Sequence, residues 1–245
     1  HVGGSLLFIP DLPCPMNEAK KAAGEQAAEL VRTGMRVGLG TGSTTAYALR
    51  AIGRRIRESS LHVMGVPTSF ASERLARECG IPLTTLDEID ELDLALDGAD
   101  EVSPDLDLIK GRGGAHTREK VVAAQARRFV VLTDPSKDVE RLGAKRVLPV
   151  EVLPMATGPV LRTLTGLGAN ASLRMGREKD GPVVTDQGFW LIDAQFDGGI
   201  DDPPRVDRTL RDTPGVLDHG LFLDMATDVF VGHPDGSVEH RQRDE

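Results

Sequence analysis

The sequence predicts an α/β protein: a parallel sheet with helices on both faces, followed by a smaller α+β unit. Three observations carry this. Short apolar runs alternate with helix-patterned segments through the first half of the chain, as crossover-connected parallel strands require. Near Lys145 the order changes to strand, helix, strand, hairpin arm and helix, a split βαβ pattern. A last apolar run, Asp228-Val229-Phe230-Val231-Gly232, is placed to rejoin the first sheet. A length of 245 residues suits one large domain or two unequal ones.

Each element has its own warrant. Residues 17–32 read as a helix, because Ala, Glu and Lys dominate and Ala23, Ala27, Leu30 and Val31 share a face. Residues 35–39 form a short strand, 40–44 a glycine loop, and 45–58 a second helix. Residues 62–66 are a strand, and 69–79 a helix closed by Gly80, which suits a left-handed C-terminal position. Strands follow at 92–96 and 129–132, with a helix at 118–126 between them. In the second half, strands are expected at 146–152 and 171–175, a hairpin arm over 183–193 turning at Asp186-Gln187-Gly188, and helices at 158–167 and 203–211. No internal repeat or low-complexity linker interrupts the chain. Residues 1–15 carry no period of either kind, so Met16 reads as the native start and 1–15 as a non-native or disordered extension.

Composition excludes several classes of function. The chain holds 29 basic and 38 acidic residues, a net charge of −9, which argues against nucleic acid or an anionic membrane as main partner. No apolar run is long enough to span a bilayer. Cys14 and Cys79 are the only cysteines, too few for a disulfide framework and consistent with a reducing cytoplasm. The bases are mostly arginine and the acids mostly aspartate, which fits either a high-salt cytoplasm or a GC-rich genome.

The chemistry concentrates in three stretches. Gly40-Thr41-Gly42-Ser43-Thr44 lies between a strand and a helix, where free N–H groups and the helix dipole favour an anion. The dinucleotide fingerprint needs glycine where Ser43 stands, and no lysine follows in the nucleotide P-loop pattern. What remains is a monophosphate cradle or a plain turn with a Ser/Thr cap. Asp97-Gly98-Ala99-Asp100-Glu101 follows a buried strand, where carboxylates suit an active site better than a core, although aspartates also cap ordinary turns. Glu101 is read as a solvated neighbour or a hydrogen-bonding support. Lys110-Gly111-Arg112-Gly113-Gly114 joins a point charge to exposed backbone donors, fit for a phosphate or a developing oxyanion. Glu119, early in a helix, is either a dipole-favoured first-turn acid or a general base. Asp97 and Asp100 would raise its pKa and Lys110 would lower it.

The scattered histidines His62, His116, His219, His233 and His240 have no metal-ligand spacing. His116 reads as a bland loop histidine beside the glycine cluster. Ser43 and Ser69 have no histidine in a nucleophile-elbow context.

Taken together, these residues carry a resemblance. Gly-Thr-Gly-Ser-Thr at 40–44, Asp-Gly-Ala-Asp-Glu at 97–101, Lys-Gly at 110–111 and Thr-Arg-Glu-Lys at 117–120 resemble ribose-5-phosphate isomerase, type A. The likeness continues through Asp134-Pro135-Ser136-Lys137, Pro149-Val150-Glu151-Val152 and Pro214-Gly215-Val216, and covers nearly everything from Met16 to Ser237. It implies a Rossmann-like catalytic domain (16–145 plus 222–238) with an inserted ferredoxin-like α+β lid (146–221). It implies interconversion of D-ribose 5-phosphate and D-ribulose 5-phosphate with no metal or organic cofactor. It further implies a cytoplasmic homodimer or homotetramer whose partner is a small phosphorylated sugar. The implied catalytic residues are Glu119 as base with Asp97, Asp100 and Lys110. The implied substrate-binding residues are Lys20, Thr41, Gly42, Ser43, Thr44, Asp97, Gly98, Ala99, Asp100, Lys110, Gly111, Arg112, Gly113 and Lys137. The family usually has glycine at the position of Arg112 and an aliphatic residue at that of His116. A non-catalytic sugar-phosphate sensor and an acyl-CoA transferase-like enzyme share the implied scaffold.

Overall fold

The computed structural model describes residues 18–243. The expectations for Met16, residues 1–15, Cys14 and the start of the first helix at Asn17 lie outside them.

The first helix, α1 (Glu18–Ala28), buries its alanine face, Ala19, Ala23, Ala27 and Ala28. Strands β1 (Arg36–Leu39), β2 (Met64–Pro67), β3 (Leu94–Gly98), β6 (Phe129–Thr133) and β12 (Asp228–Gly232) form a parallel sheet in the order β12-β6-β3-β1-β2. Helices α2 (Ser43–Ser59), α3 (Phe70–Glu78) and α4 (His116–Ala124) fall between these strands. The expected return of 228–232 to this sheet is present, in register Val229↔Val131. An edge strand that the sequence reading lacks, β13 (Val238–Gln242), adds antiparallel to β12. Its composition, Val-Glu-His-Arg-Gln, is polar and none of its residues is fully buried, so no apolar period marks it.

The second half forms an antiparallel sheet of β7 (Leu148–Val152), β8 (Asn170–Leu173), β9 (Trp190–Gln195) and β10 (Val216–His219) in the order β10-β7-β9-β8. With α5 (Thr157–Gly166) and α6 (Pro203–Arg211), this is the ferredoxin-like βαββαβ arrangement. The turn expected at 186–188 is present, closed by the Gly188 N–H donating to Thr185 O.

A third, small sheet went unread. Strands β4 (Glu101–Val102), β5 (Leu108–Ile109) and β11 (Leu221–Phe222) pair antiparallel in the order β11-β5-β4. Successive residues of a strand point to opposite faces, and here the two faces belong to different cores. Leu108 and Phe222 pack under the parallel sheet, whereas Ile109 and Leu221 pack in the core of the α+β unit. Two-residue strands are too short for a sequence period to reveal.

Several boundaries shift by one to three residues, and one shift matters for chemistry. The strand expected at 92–96 runs from Leu94 through Gly98, because Asp97 and Gly98 pair in register with Val131 and Leu132 of β6. Asp97 therefore belongs to the sheet rather than to the loop after it. Likewise α2 begins at Ser43 and α4 at His116, so Ser43, Thr44 and His116 are first-turn helical residues. Cys79 is a free, buried thiol at the end of α3. Among the described residues no helix is long and apolar enough to cross a membrane.

Candidate active site

Residues at the C-terminal ends of the parallel strands and at the small sheet converge on one cavity of about 310 Å³. It is lined by Lys20, Thr41, Gly42, Ser43, Thr44, Gly98, Ala99, Asp100, Lys110, Gly111, Arg112, Gly113, Glu119 and Lys137. These stand far apart in the chain, and parallel topology gathers them, because ligand crevices in such sheets open beyond the strand ends. Asp97 is the expected residue that does not line the cavity. It is 2% exposed and lies behind the wall.

The three ionisable groups at the core of the site form a chain. Lys110, itself 3% exposed, extends from the end of β5 and is fixed by its N–H donating to Gly220 O at 2.9 Å. Its Nζ lies 3.0 Å from Asp97 Oδ2 and 3.3 Å from Glu119 Oε2, and donates to Gly98 O. Asp97 Oδ1 accepts the N–H groups of Thr41 at 2.9 Å and Gly98 at 2.7 Å. This close approach needs glycine at position 40, where a Cβ would strike the Asp97 carboxyl and Leu96 O. Asp97 thus ties the 41–44 loop to the ammonium.

Electrostatics divide the two carboxylates. Burial, then Asp97 and Asp100, push Glu119 up to about 8 against the pull of Lys110. Burial also raises Asp97, but Lys110 and two backbone N–H groups oppose it. With more donors, Asp97 is the better-stabilised anion, so the proton that exchanges near neutral pH is that of Glu119. Burial works against the Lys110 ammonium too, but Asp97 and Glu119 outweigh it and raise its pKa, so the lysine stays charged.

The opposite end of the cavity is cationic. The free N–H groups of the first turn of α2 open behind Gly42, whose φ of 112° is one that glycine tolerates. Lys20 reaches across from α1 to donate to Ser43 Oγ at 3.1 Å. Lys137 comes from a 3₁₀ turn (Pro135–Lys137) capped by Asp134. Burial lowers its pKa, with Asp100 and Asp134 acting in the other direction. Between the two ends, Asp100 Oδ2 accepts the Arg112 N–H at 2.9 Å. Arg112 itself is exposed and lines the cavity, and its backbone N–H organises the wall.

Two sequence expectations need correction. Glu101 is fully buried rather than solvated, and it accepts the N–H groups of Gly143, Lys145 and Arg146. It is the hydrogen-bonding support, stitching β4 to the start of the α+β unit. His116 is not a loop residue but a fully buried helical one. Burial pushes its pKa down to about 3, so the ring is neutral. Gly111 has a φ of 101°, and a Cβ there would meet the His116 ring at 2.6 Å. His116 therefore shapes the glycine cluster by packing. Lys120, on α4 itself, and Glu151 and Asp218, which pack against it, were given no role. Lys120 and Glu151 left a trace only as members of the Thr-Arg-Glu-Lys and Pro149-Val150-Glu151-Val152 motifs.

A roomier cavity of about 680 Å³ opens beside α4, among Val66, Pro67, Leu83, Val121 and Phe189. Its lining is mostly apolar, although Glu73, Arg77, Glu88 and Arg118 also reach it, and it lacks the buried carboxylate–ammonium chain. Among the described residues no group of three or more His, Cys, Asp or Glu is placed to hold a metal ion.

The fold and site define an α/β protein of Rossmann-like topology with a ferredoxin-like insertion, carrying a small polar pocket with a buried Asp–Lys–Glu chain. The ribose 5-phosphate isomerase A (phosphoriboisomerase A) family model matches residues 64–236. A Synechocystis protein named ribose-5-phosphate isomerase A is 54% identical over 217 residues, covering 88% of this chain and 92% of that one. The solved ribose 5-phosphate isomerase A of Methanocaldococcus jannaschii is 46% identical with a TM-score of 0.87, covering 91% of this chain and 97% of that one. A D-ribose-5-phosphate isomerase solved with phospho-erythronic acid is 44% identical with a TM-score of 0.88 and the same coverage, 91% and 97%. The chain belongs to the ribose 5-phosphate isomerase A family.

Proposed function

We infer that the chain interconverts D-ribose 5-phosphate and D-ribulose 5-phosphate through an enediolate. One observation carries the reading: a buried glutamate poised near neutral pH, 3.3 Å from a fixed ammonium, in a pocket also lined by Lys20, Lys137 and the first turn of α2. A related enzyme solved with phospho-erythronic acid, a phosphorylated sugar acid, supports a phosphosugar as ligand.

Glu119 removes the proton from C2 and returns it to C1. Lys110 and the N–H groups of Gly111 and Gly113 stabilise the oxyanion, each donor being worth about 3 kcal/mol in sites of this kind. Asp100 lines the cavity, which supports its moving protons among O1, O2 and the ring oxygen. Asp97, behind the wall, holds the 41–44 loop and Lys110 instead. Lys20, Ser43, Thr44 and Lys137 bind the phosphate, whose binding energy orients the reacting carbons. Residues 16–145 with 222–238, extended to Gln242 by the edge strand β13, act as the catalytic domain and 146–221 as the lid. The family resemblance supports a cytoplasmic homodimer or homotetramer.

Glu119→Gln tests the reading. Its turnover of ribose 5-phosphate should fall by at least about 10³-fold, within the range of a lost general base, while substrate binding by calorimetry persists. Near-normal kcat would sink the assignment. Saturable binding without turnover in the wild-type protein would point instead to a sugar-phosphate sensor.

A further inference from the structure

Helix α4 carries Glu119 on a weak frame. Nine residues are too few for a helix to hold by itself, and Ala115 at the N-cap makes no side-chain cap. Val122 and Ala123 pack its later turns into the core under the parallel sheet, and polar ties to the α+β unit hold its start. Thr117 Oγ1 donates to Glu151 of β7. His116 Nε2 lies 3.4 Å from Asp218 O of β10. Lys120 Nζ donates to Asp218 Oδ1 at 2.6 Å and to His219 O at 2.7 Å. Residues 116, 117 and 120 share one side of the helix, while Glu119 beside them faces the cavity.

The Lys120 knot is itself anchored. Asp218 Oδ1 also accepts the His219 N–H at 2.7 Å. His219 Nδ1 accepts the Leu221 N–H, which leaves Nε2 to face Asp207 Oδ1 of α6 at 3.3 Å. Arg211 closes the cluster, 2.7 Å from the other Asp207 oxygen. The Phe222 ring lies 5.0 Å from Lys120 Nζ and 5.5 Å from Lys110 Nζ, so one buried ring serves both ammonium groups. A lysine with two acceptors and an aromatic face is a fixed point, unlike a solvated surface lysine.

We propose that Lys120, held by Asp218 and the His219 carbonyl, is a positioning residue for Glu119: it locks the first turn of α4 to the α+β unit and so sets the Glu119 carboxylate against Lys110. The role rests on Glu119 as the base, but its first test does not require turnover. Glu119 is titrated by NMR in protein carrying carboxyl-labelled glutamate, its signal assigned by loss in Glu119→Gln. In the wild type it faces Lys110, Asp97 and Asp100, and titrates near 8. Lys120→Met keeps the stem and removes the ammonium. The loosened turn admits water, and the Glu119 titration moves down toward the ordinary carboxylate range. In the same variant kcat falls about 10²-fold, as expected for a misplaced catalytic group, while KM stays within about threefold.

Asp218→Asn retains an oxygen acceptor and loses the charge, so it should shift both readouts the same way by less. It also decides the matter if Lys120→Met does not fold. The proposal is overturned if a folded variant keeps the wild-type Glu119 titration, even with a lowered melting temperature, since that is the mark of a purely structural lysine. An active Glu119→Gln would remove the base assignment while leaving the titration result to stand on its own.

Discussion

Two carboxylates buried in this molecule sit at opposite extremes. Glu119 is pushed up to about 8, whereas Asp228 is held down at about 2. Both are nearly inaccessible to solvent, but Glu119 lies deeper, whereas Asp228 sits beside the part-exposed Arg128 and His240. Donors widen the difference. Asp228 receives Arg128 through Nε at 2.8 Å and Nη2 at 2.7 Å, Thr227 Oγ1 at 2.6 Å and His240 Nε2 at 2.6 Å. Among the described residues, Glu119 Oε2 meets only the Lys110 ammonium, which it shares with Asp97, and has no aligned hydrogen-bond donor. A carboxylate that only holds a fold is saturated with partners. One that must pick up and release a proton is left short of them.

After the loss of Glu119 itself, the largest expected effect removes the shared cation. Lys110→Met leaves Asp97 and Glu119 facing each other and takes away the oxyanion partner. We expect kcat/KM to fall by about 10²–10³-fold and stability at neutral pH by about 3–5 kcal/mol. Wild-type kcat/KM would break the contrast, because Glu119 would then need no ammonium.

Stability as a function of pH sharpens it. A raised carboxyl pKa costs stability as pH climbs from the unfolded value of 4.5 toward 8, since the native state holds a proton that the unfolded state has released. Glu119→Gln should therefore gain stability relative to wild type across that window. Asp228 has the opposite sign. Its contribution of about 2 kcal/mol is complete above 3.8 and is lost as pH falls toward 2. Asp228→Asn should lower the melting temperature at pH 7 and leave kcat unchanged. Parallel pH trends in the two variants would refute the donor argument.

In the free enzyme, log kcat/KM should rise with unit slope toward a plateau above about 8, as Glu119 ionises. A flat profile between pH 6 and 8 would contradict it. Lys137→Met, at the phosphate end, should raise KM about tenfold with little change in kcat, the mark of lost ground-state binding. The smallest effect belongs to Arg112→Gly. The Arg112 backbone N–H makes the bond to Asp100 and any residue supplies that, so kcat/KM should stay within about twofold.

How much was legible follows from which signals are local. The five parallel strands and the helices between them announce themselves because each carries its own period, and α3 its own cap as well. Ser69 caps α3 by accepting the Ser72 N–H. The pocket residues were readable as types: glycines beside hydroxyls, aspartates after a strand, a lysine before glycines. Asp97 was misplaced by the same logic, because an apolar run shows where a strand is buried but not how far its neighbours extend it. The small sheet of β4, β5 and β11 and the edge strand β13 left no periodic trace. Neither did Asp218 or Glu151, ordinary acids in sequence whose partners lie on α4, far along the chain.

The sequence by itself determined the fold class, the family and the list of chemical groups, because these depend on local pattern and residue type. Tertiary structure alone decided which groups are undersupplied. Asp97, Glu119 and Asp228 are the same kind of group in the chain, and only the folded protein assigns two amide donors to one, a shared ammonium to another and an arginine with a histidine to the third. A carboxyl pKa is set by the balance of burial and donors within a few ångströms, and that balance does not exist until distant segments meet.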